Sequence, residues 1–218
     1  MTLANDSILV TPGSGATVAT HLVASKELQV VVPADVNGHL VESAASYLFT
    51  VPPIAVGANK VMLDLFNATG SGLTLRLVTV LAYKEGSVAV TGVLAVKLSL
   101  TRTTAVGTGG TAMTLEGTTL TAPNICKMDP ANAALHANIT ARAAPTGGGT
   151  AGAVLAQRQV FPEETNAASY GAPVDFLSGL SGHATQRLVV PENTGIRIVQ
   201  GAVASVGSVG FEVLFQTV

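Results

Sequence analysis

The sequence predicts an all-β protein: a single antiparallel β-sandwich, of jelly-roll type, with an extended amino-terminal arm. Three observations predict it. Apolar and polar residues alternate at period two along most of the chain, and helical periodicity is scarce. The 23 Gly and 10 Pro cluster between the alternating runs, spacing about eight to ten strands at roughly 8–12 residues. A length of 218 residues suits one domain, at roughly 100–200 residues per domain, and no shift in composition marks a second. The arm is assigned to residues 1–20 and the sandwich to residues 21–218.

The arm opens with a short apolar run, Ser7-Ile8-Leu9-Val10, followed by Thr11-Pro12-Gly13-Ser14-Gly15. Val61, Leu63 and Leu65 then alternate with Lys60, Met62, Asp64 and Phe66 as a strand. The turn residues Asn67 to Gly72 lead into Leu73 to Tyr83, so a hairpin is expected. In that second strand the apolar set shifts from Leu73, Leu75 and Leu77 to Val78, Val80 and Ala82, which predicts a bulge or burial on both faces.

From Gly92 to Arg102, Leu94, Val96, Leu98 and Leu100 form one face. From Ala134 to Arg142, Leu135, Ala137, Ile139 and Ala141 oppose His136, Asn138, Thr140 and Arg142, the clearest alternation in the chain. Asp129 to Ala134 reads as a turn opened by Asp129, with Pro130 suited to a first helical position. Arg187 to Val190, Gly195 to Gln200 and Val209 to Thr217 supply three more strands, with Pro191 to Gly195 as a turn. Gly/Thr/Ala-rich loops are expected at Thr104 to Thr111 and Pro145 to Gly152, and a longer irregular stretch at Phe161 to His183. The predicted core is Leu94, Val96, Leu98, Leu135, Ile139, Ile196, Ile198, Phe211, Val213 and Phe215.

Charge narrows the function. With 11 Lys+Arg against 13 Asp+Glu the net charge is −2, and only 11% of residues are charged, where a soluble domain typically carries about 25%. The hydrophobic share of 48% is ordinary, so the mean hydropathy of +0.49 reflects missing charge. Disorder is disfavoured by that apolar content. There is no basic patch for nucleic acid or anionic membrane, so neither is expected as a partner. No run approaches the roughly 18 apolar residues of a membrane helix; Leu75 to Tyr83 is interrupted by Arg76 and Thr79. Met1 to Val10 lacks the pattern of a secretory signal. Aromatics at 4% and the absence of Trp argue against the girdles of an outer-membrane barrel.

No constellation of catalytic residues emerges, and no enzyme, metal or cofactor is expected. Gly107-Thr-Gly-Gly110 and Gly147-Gly-Gly149 lack the Gly-Lys-Ser/Thr of a phosphate loop and read as hairpin tips. His21, His39, His136 and His183 have no metal-ligand spacing. Glu163, Glu164 and Asp175 lack the aromatic platforms that usually accompany a sugar-cleaving carboxylate pair. Gly179-Leu-Ser-Gly182 is not a nucleophile elbow. The single Cys126 reads as a small buried hydrophobe. The sequons at Asn5, Asn67 and Asn138 matter only in a glycosylating pathway. Glu212-Val-Leu-Phe-Gln216 resembles a picornaviral 3C protease recognition stretch, but it fits the alternation of the last strand and is read as part of it.

Several segments together resemble small virion structural proteins of tailed bacteriophages. They are the arm Ile8 to Thr20, the stretch Leu65-Phe-Asn-Ala-Thr-Gly-Ser-Gly72, the strand leading to Arg102-Thr-Thr104 with its Gly/Thr loop, and the closing pair Leu188 to Ile198. The resemblance implies a capsid decoration (cement) protein, or another head or tail accessory protein, longer than the smallest decoration proteins. It implies a place on the capsid surface of the virion after synthesis in the host cytoplasm. The partners would be the major capsid protein and the protein itself, as a homotrimer in preference to a homodimer. Sparse charge agrees, because interface cores are depleted in charge. Ser7, Ile8, Leu9, Val10, Thr11, Pro12 and Gly13 are the candidate partner-binding residues, extending as an added strand across a neighbouring subunit. The alternative for the run Ser7 to Val10 is the first strand of the sandwich itself. The alternative function is a tail, receptor-binding or carbohydrate-binding module.

Overall fold

A computed structural model describes residues 18–23, 26–31, 44–84, 94–148, 152–161, 172–178 and 188–218. These residues form fifteen strands and no helix. The chain divides into two compact units, residues 1–44 and 45–218. In the first, β1 (Val18–Val23) and β2 (Lys26–Val31) pair antiparallel, with Val18 opposite Val31.

The second unit is a β-sandwich, as the alternation predicts. Its strands are β3 (Ala45–Ala55), β4 (Val61–Asn67), β5 (Leu75–Lys84), β6 (Val96–Thr103), β7 (Thr111–Ala112), β8 (Thr114–Leu115) and β9 (Asn124–Lys127). They continue with β10 (Ile139–Ala143), β11 (Val154–Val160), β12 (Val174–Asp175), β13 (Val189–Val190), β14 (Thr194–Gln200) and β15 (Ser208–Thr217). One sheet has the order β11-β6-β14-β4-β10-β7, and the other β12-β5-β15-β3-β9-β8, with β13 also on β5. Every pairing is antiparallel except β8 with β9. From β3 to β6 the chain changes sheet at every strand, and it does so again from β14 to β15.

The core lies between the sheets. On β15, Val209, Phe211, Val213 and Phe215 are buried, opposite Phe49 and Val51 of β3 and Val80 and Ala82 of β5. Tyr47 and Phe215 stack with ring centroids 5.6 Å apart. The facing sheet contributes Leu63, Leu65, Leu98, Leu100, Ile139, Ile196 and Ile198. Because one face of each strand is buried, a one-residue slip would expose the whole set, and this fixes register. The expected shift in β5 is a bulge: Leu214 pairs with Thr79 and Phe215 with Leu77, so Val78 is the extra residue and burial moves from Leu75 and Leu77 to Val80 and Ala82.

Three expectations are corrected. Leu94 is 53% exposed, because β6 begins only at Val96 and no ladder holds residue 94 on the inner face; instead its amide and carbonyl both meet the Ser205 hydroxyl. The strand expected over Ala134 to Arg142 starts only at Ile139. The Ile139 amide bonds the His136 carbonyl and the Asn138 amide bonds His136 Nδ1, which closes a turn and leaves Ala137 exposed, although Leu135 and Ile139 are buried as expected.

Finally, Asn67 to Gly72 is a corner between sheets and not a hairpin. The buried Asn67 side chain donates to the carbonyls of Leu73 (2.8 Å) and Val190 (3.2 Å), and Glu192 accepts from the Gly72 amide (2.6 Å) and the Ser71 hydroxyl (3.2 Å). These distant contacts turn the chain into the opposite sheet. The Asp129 turn forms as expected, with Asp129 accepting from the amides of Ala131 and Asn132.

Candidate functional site

The residues that the sequence assigns to partner binding, Ser7 to Gly13, lie outside the described residues. Among the described residues, the feature suited to a partner is one side of the sandwich, where β7 and β8 end the two sheets.

The segment Thr111 to Leu115 belongs to both sheets in succession. Thr111 and Ala112 lie opposite Ala143 and Arg142 of β10, and the Met113 amide donates to the Ala141 carbonyl. The chain then crosses to the other sheet, where the Thr114 amide bonds the Pro123 carbonyl and the Glu116 amide bonds the Ile125 carbonyl. Met113 packs against the core as the segment crosses. By the alternation of a strand, Ala112 and Leu115 turn their own amides and carbonyls away from the sandwich.

Where this segment leaves β10, a groove opens with a volume of about 230 Å³. Met113, Leu115, Leu135 and Ile139 supply most of its apolar wall, and His136 and Arg142 stand at it as polar groups. No carboxylate lines it. Thr140 also lines it, and its buried hydroxyl has no hydrogen-bond partner among the described residues. Leu115 is 40% exposed.

Edge strands are ordinarily guarded by charges, prolines or bulges against pairing with another chain. The opposite side of the sandwich has such a guard. Arg158 on β11 donates to the carbonyls of Asp175, Phe176 and Ser178, which ties one sheet to the other. Among the described residues Thr111 to Leu115 has no such tie, and no charged residue or proline occurs between Arg102 and Glu116.

The loops rich in Gly prove to be structural. On β14, Ile196 and Ile198 face the core, so Arg197 lies on the outer face, where Thr103 to Gly110 covers it. Arg197 Nε is 2.6 Å from Asp64 Oδ2, its Nη2 donates to the Ala105 carbonyl, and Asp64 Oδ1 accepts the Gly107 amide. Burial raises the Asp64 carboxyl above the ordinary aspartate range, and the neighbouring Arg197, Gly107 and Arg142 only oppose that rise. Gly107 is required here because a Cβ would come 2.9 Å from Asp64 Cγ. Thr108 and Gly147 bridge the two loops. Neither stretch is a hairpin tip: Thr104 to Gly110 and the described residues Gly147 and Gly148 lie around a buried ion pair.

The other chemical candidates are also occupied in holding turns. His136 caps the turn before β10. Asp175 accepts the Leu177 amide at 2.9 Å. Cys126, half-buried on β9, receives a hydrogen bond from Asn124 Nδ2. His21 lies on β1, whereas His39, His183, Glu163 and Glu164 are outside the described residues. Among the described residues, no three His, Cys, Asp or Glu come together as metal ligands. No helix there is long and apolar enough to cross a membrane.

No family model, curated protein or solved structure matches this chain. The functional reading therefore rests on the chain's own residues. The groove escapes a reading of the sequence because it forms where one segment changes sheets; the only sequence signal is the uncharged run that ends at Leu115.

Proposed function

We propose that this protein is a structural component of a tailed-bacteriophage virion that decorates the outer surface of the capsid and braces the shell. Its partners are the major capsid protein and further copies of itself, a trimer before a dimer, and no reaction is assigned to it. The observation that carries the reading is the uncharged, unguarded edge at Thr111 to Leu115 beside an apolar groove, in a chain only 11% charged. Such a surface is suited to burial against another protein.

The strand order supports the reading. We take β7 to β10 as an insertion that widens both sheets. The remaining long order is β3-β15-β5-β12 facing β4-β14-β6-β11, with successive strands crossing between sheets. That is a jelly-roll arrangement, an architecture used by capsid and lectin domains. The arm residues Ser7 to Gly13 supply part of the adhesion, and several arms in one oligomer multiply modest contacts through avidity.

Sedimentation of the purified protein with assembled capsids tests this. Saturable co-sedimentation, at a fixed number of copies per shell, is expected. Failure to bind any capsid, together with binding to isolated tails or glycans, would overturn it in favour of a tail or receptor-binding module. The groove argues against a sugar site, because no Phe, Tyr or Trp lines it.

A further inference from the structure

We infer that the groove beside Thr111 to Leu115 receives the side chain of Leu120 from a second copy of this chain, a knob seated in a pocket. The inference rests on the reading of the protein as a homo-oligomer, and it does not depend on the capsid. Knob and groove both belong to the unit of residues 45–218.

The knob is held in place by its own loop. Leu120 is 94% exposed, more than any other large hydrophobic residue among the described residues. Its loop, residues 117–123, joins β8 to β9, and the Asn124 side chain closes the base: Oδ1 accepts the Gly117 amide (2.7 Å) and Nδ2 donates to the Gly117 carbonyl (2.9 Å). At the tip the Ala122 amide bonds the Thr119 carbonyl, a turn with Leu120 at its first corner. An apolar side chain left in water is unfavourable, and one presented on a closed loop has little backbone freedom left to lose on binding.

The groove matches the knob in size and in charge. Met113, Leu115, Leu135 and Ile139 line a space of about 230 Å³. A void of about 150 Å³ already holds a benzene ring, so a leucine side chain fits, whereas pockets for drug-sized molecules run to roughly 300–1,000 Å³. From Thr103 to Cys126 the only charged residue is Glu116, at the start of the loop, and the groove presents Arg142 and His136 with no carboxylate. The entering loop therefore brings an acid and no base to a groove that holds bases and no acid, which favours a copy of this chain as the occupant. Each copy gives one knob and receives one, so the contact closes into a symmetric ring with every Leu120 buried.

Disulfide trapping between two full-length variants tests this. Leu120→Cys and Ala137→Cys, a groove residue that is exposed, are made separately, each with Cys126→Ala, and one carries an affinity tag so that the two differ in mass. Mixed, oxidised mildly and separated under denaturing conditions, they should give a linked species containing one chain of each. Light scattering should show an oligomer for the wild type, and Leu120→Asp, a change at an open position, should weaken its association about tenfold or more with unchanged circular dichroism. Absence of the mixed species from folded variants, a wild-type mass of one chain at micromolar concentration, or an oligomer unmoved by Leu120→Asp would overturn the inference. Capsid co-sedimentation of the unoxidised proteins is measured in parallel. Co-sedimentation without the mixed species counts against this contact alone, and the mixed species without co-sedimentation supports the contact and counts against decoration alone.

Discussion

Arg197 on β14 and Asp64 on β4 are direct cross-strand partners, joined at 2.6 Å and both almost fully buried on the outer face of their sheet. The pair anchors the loop through Ala105 and Gly107 that precedes the groove-forming segment. Removing one partner leaves an unpaired charge out of water. Asp64→Ala is therefore expected to destabilise the fold by about 3–5 kcal/mol, while the paired change Asp64→Leu with Arg197→Met recovers most of that loss. Urea unfolding of the three proteins checks both. A single variant as stable as wild type would show that solvent reaches Arg197.

Two carboxylates respond to acid in opposite senses. Asp64 is raised mainly by burial, so its contribution to stability is greatest below its unfolded pKa and is lost as pH rises through the folded value. Glu192 is lowered, first by the Gly72 amide and further by the Ser71 hydroxyl, so its contribution is present above the ordinary value of 4.5 and is lost as pH falls through the folded value. Acid should therefore loosen the Asn67 to Gly72 corner as Glu192 takes up its proton. The Gly72 amide proton shift should titrate below the usual glutamate range in wild type and stay flat in Glu192→Gln.

Ile139 is buried in the core on β10, two strands from the guanidinium of Arg197. Ile139→Asp forces a carboxylate with no partner into that layer and should prevent folding. Circular dichroism and a thermal scan read the result. A soluble variant with an unchanged melting temperature would mean that the side chain has been placed on the wrong face.

Deleting Thr2 to Pro12 separates the two readings of the amino-terminal run. As an arm, its loss leaves a folded protein that no longer decorates capsids. As a strand of the sandwich, its loss prevents folding. Normal decoration by a stable deletion variant would remove the arm from the mechanism and leave the edge at Thr111 to Leu115 as the surface to test.

The strands that the sequence reveals best are those with one face in the core over their full length. Val209 to Phe215 alternates clearly because Phe211, Val213 and Phe215 each meet an apolar partner on both β3 and β5. The bulge at Val78 is one of the two causes that a shift of phase in the apolar set predicts, and the pairing with β15 decides between them. Alternation misleads where it runs past the end of a ladder, as at Leu94 and Ala137. Pairing is harder to read, because the corner at Asn67 is decided by Val190 and Glu192, more than a hundred residues away in the chain. The groove lies beyond sequence reasoning for the same reason: its walls come from β7, β8 and the approach to β10, and none of them forms it alone.

The position of β15 sets a timetable for the protein's synthesis. This strand lies between β3 and β5, so the sheet it completes stays divided until residues 208–217 have left the ribosome. A nascent chain can make local turns, but Tyr47, Phe49 and Val51 must wait for Phe211 to Phe215. Non-local pairing of this kind folds slowly, on the order of milliseconds to seconds for all-β domains. The edge at Thr111 to Leu115 is translated well before that closure. The edge therefore emerges before the sandwich that carries it is complete.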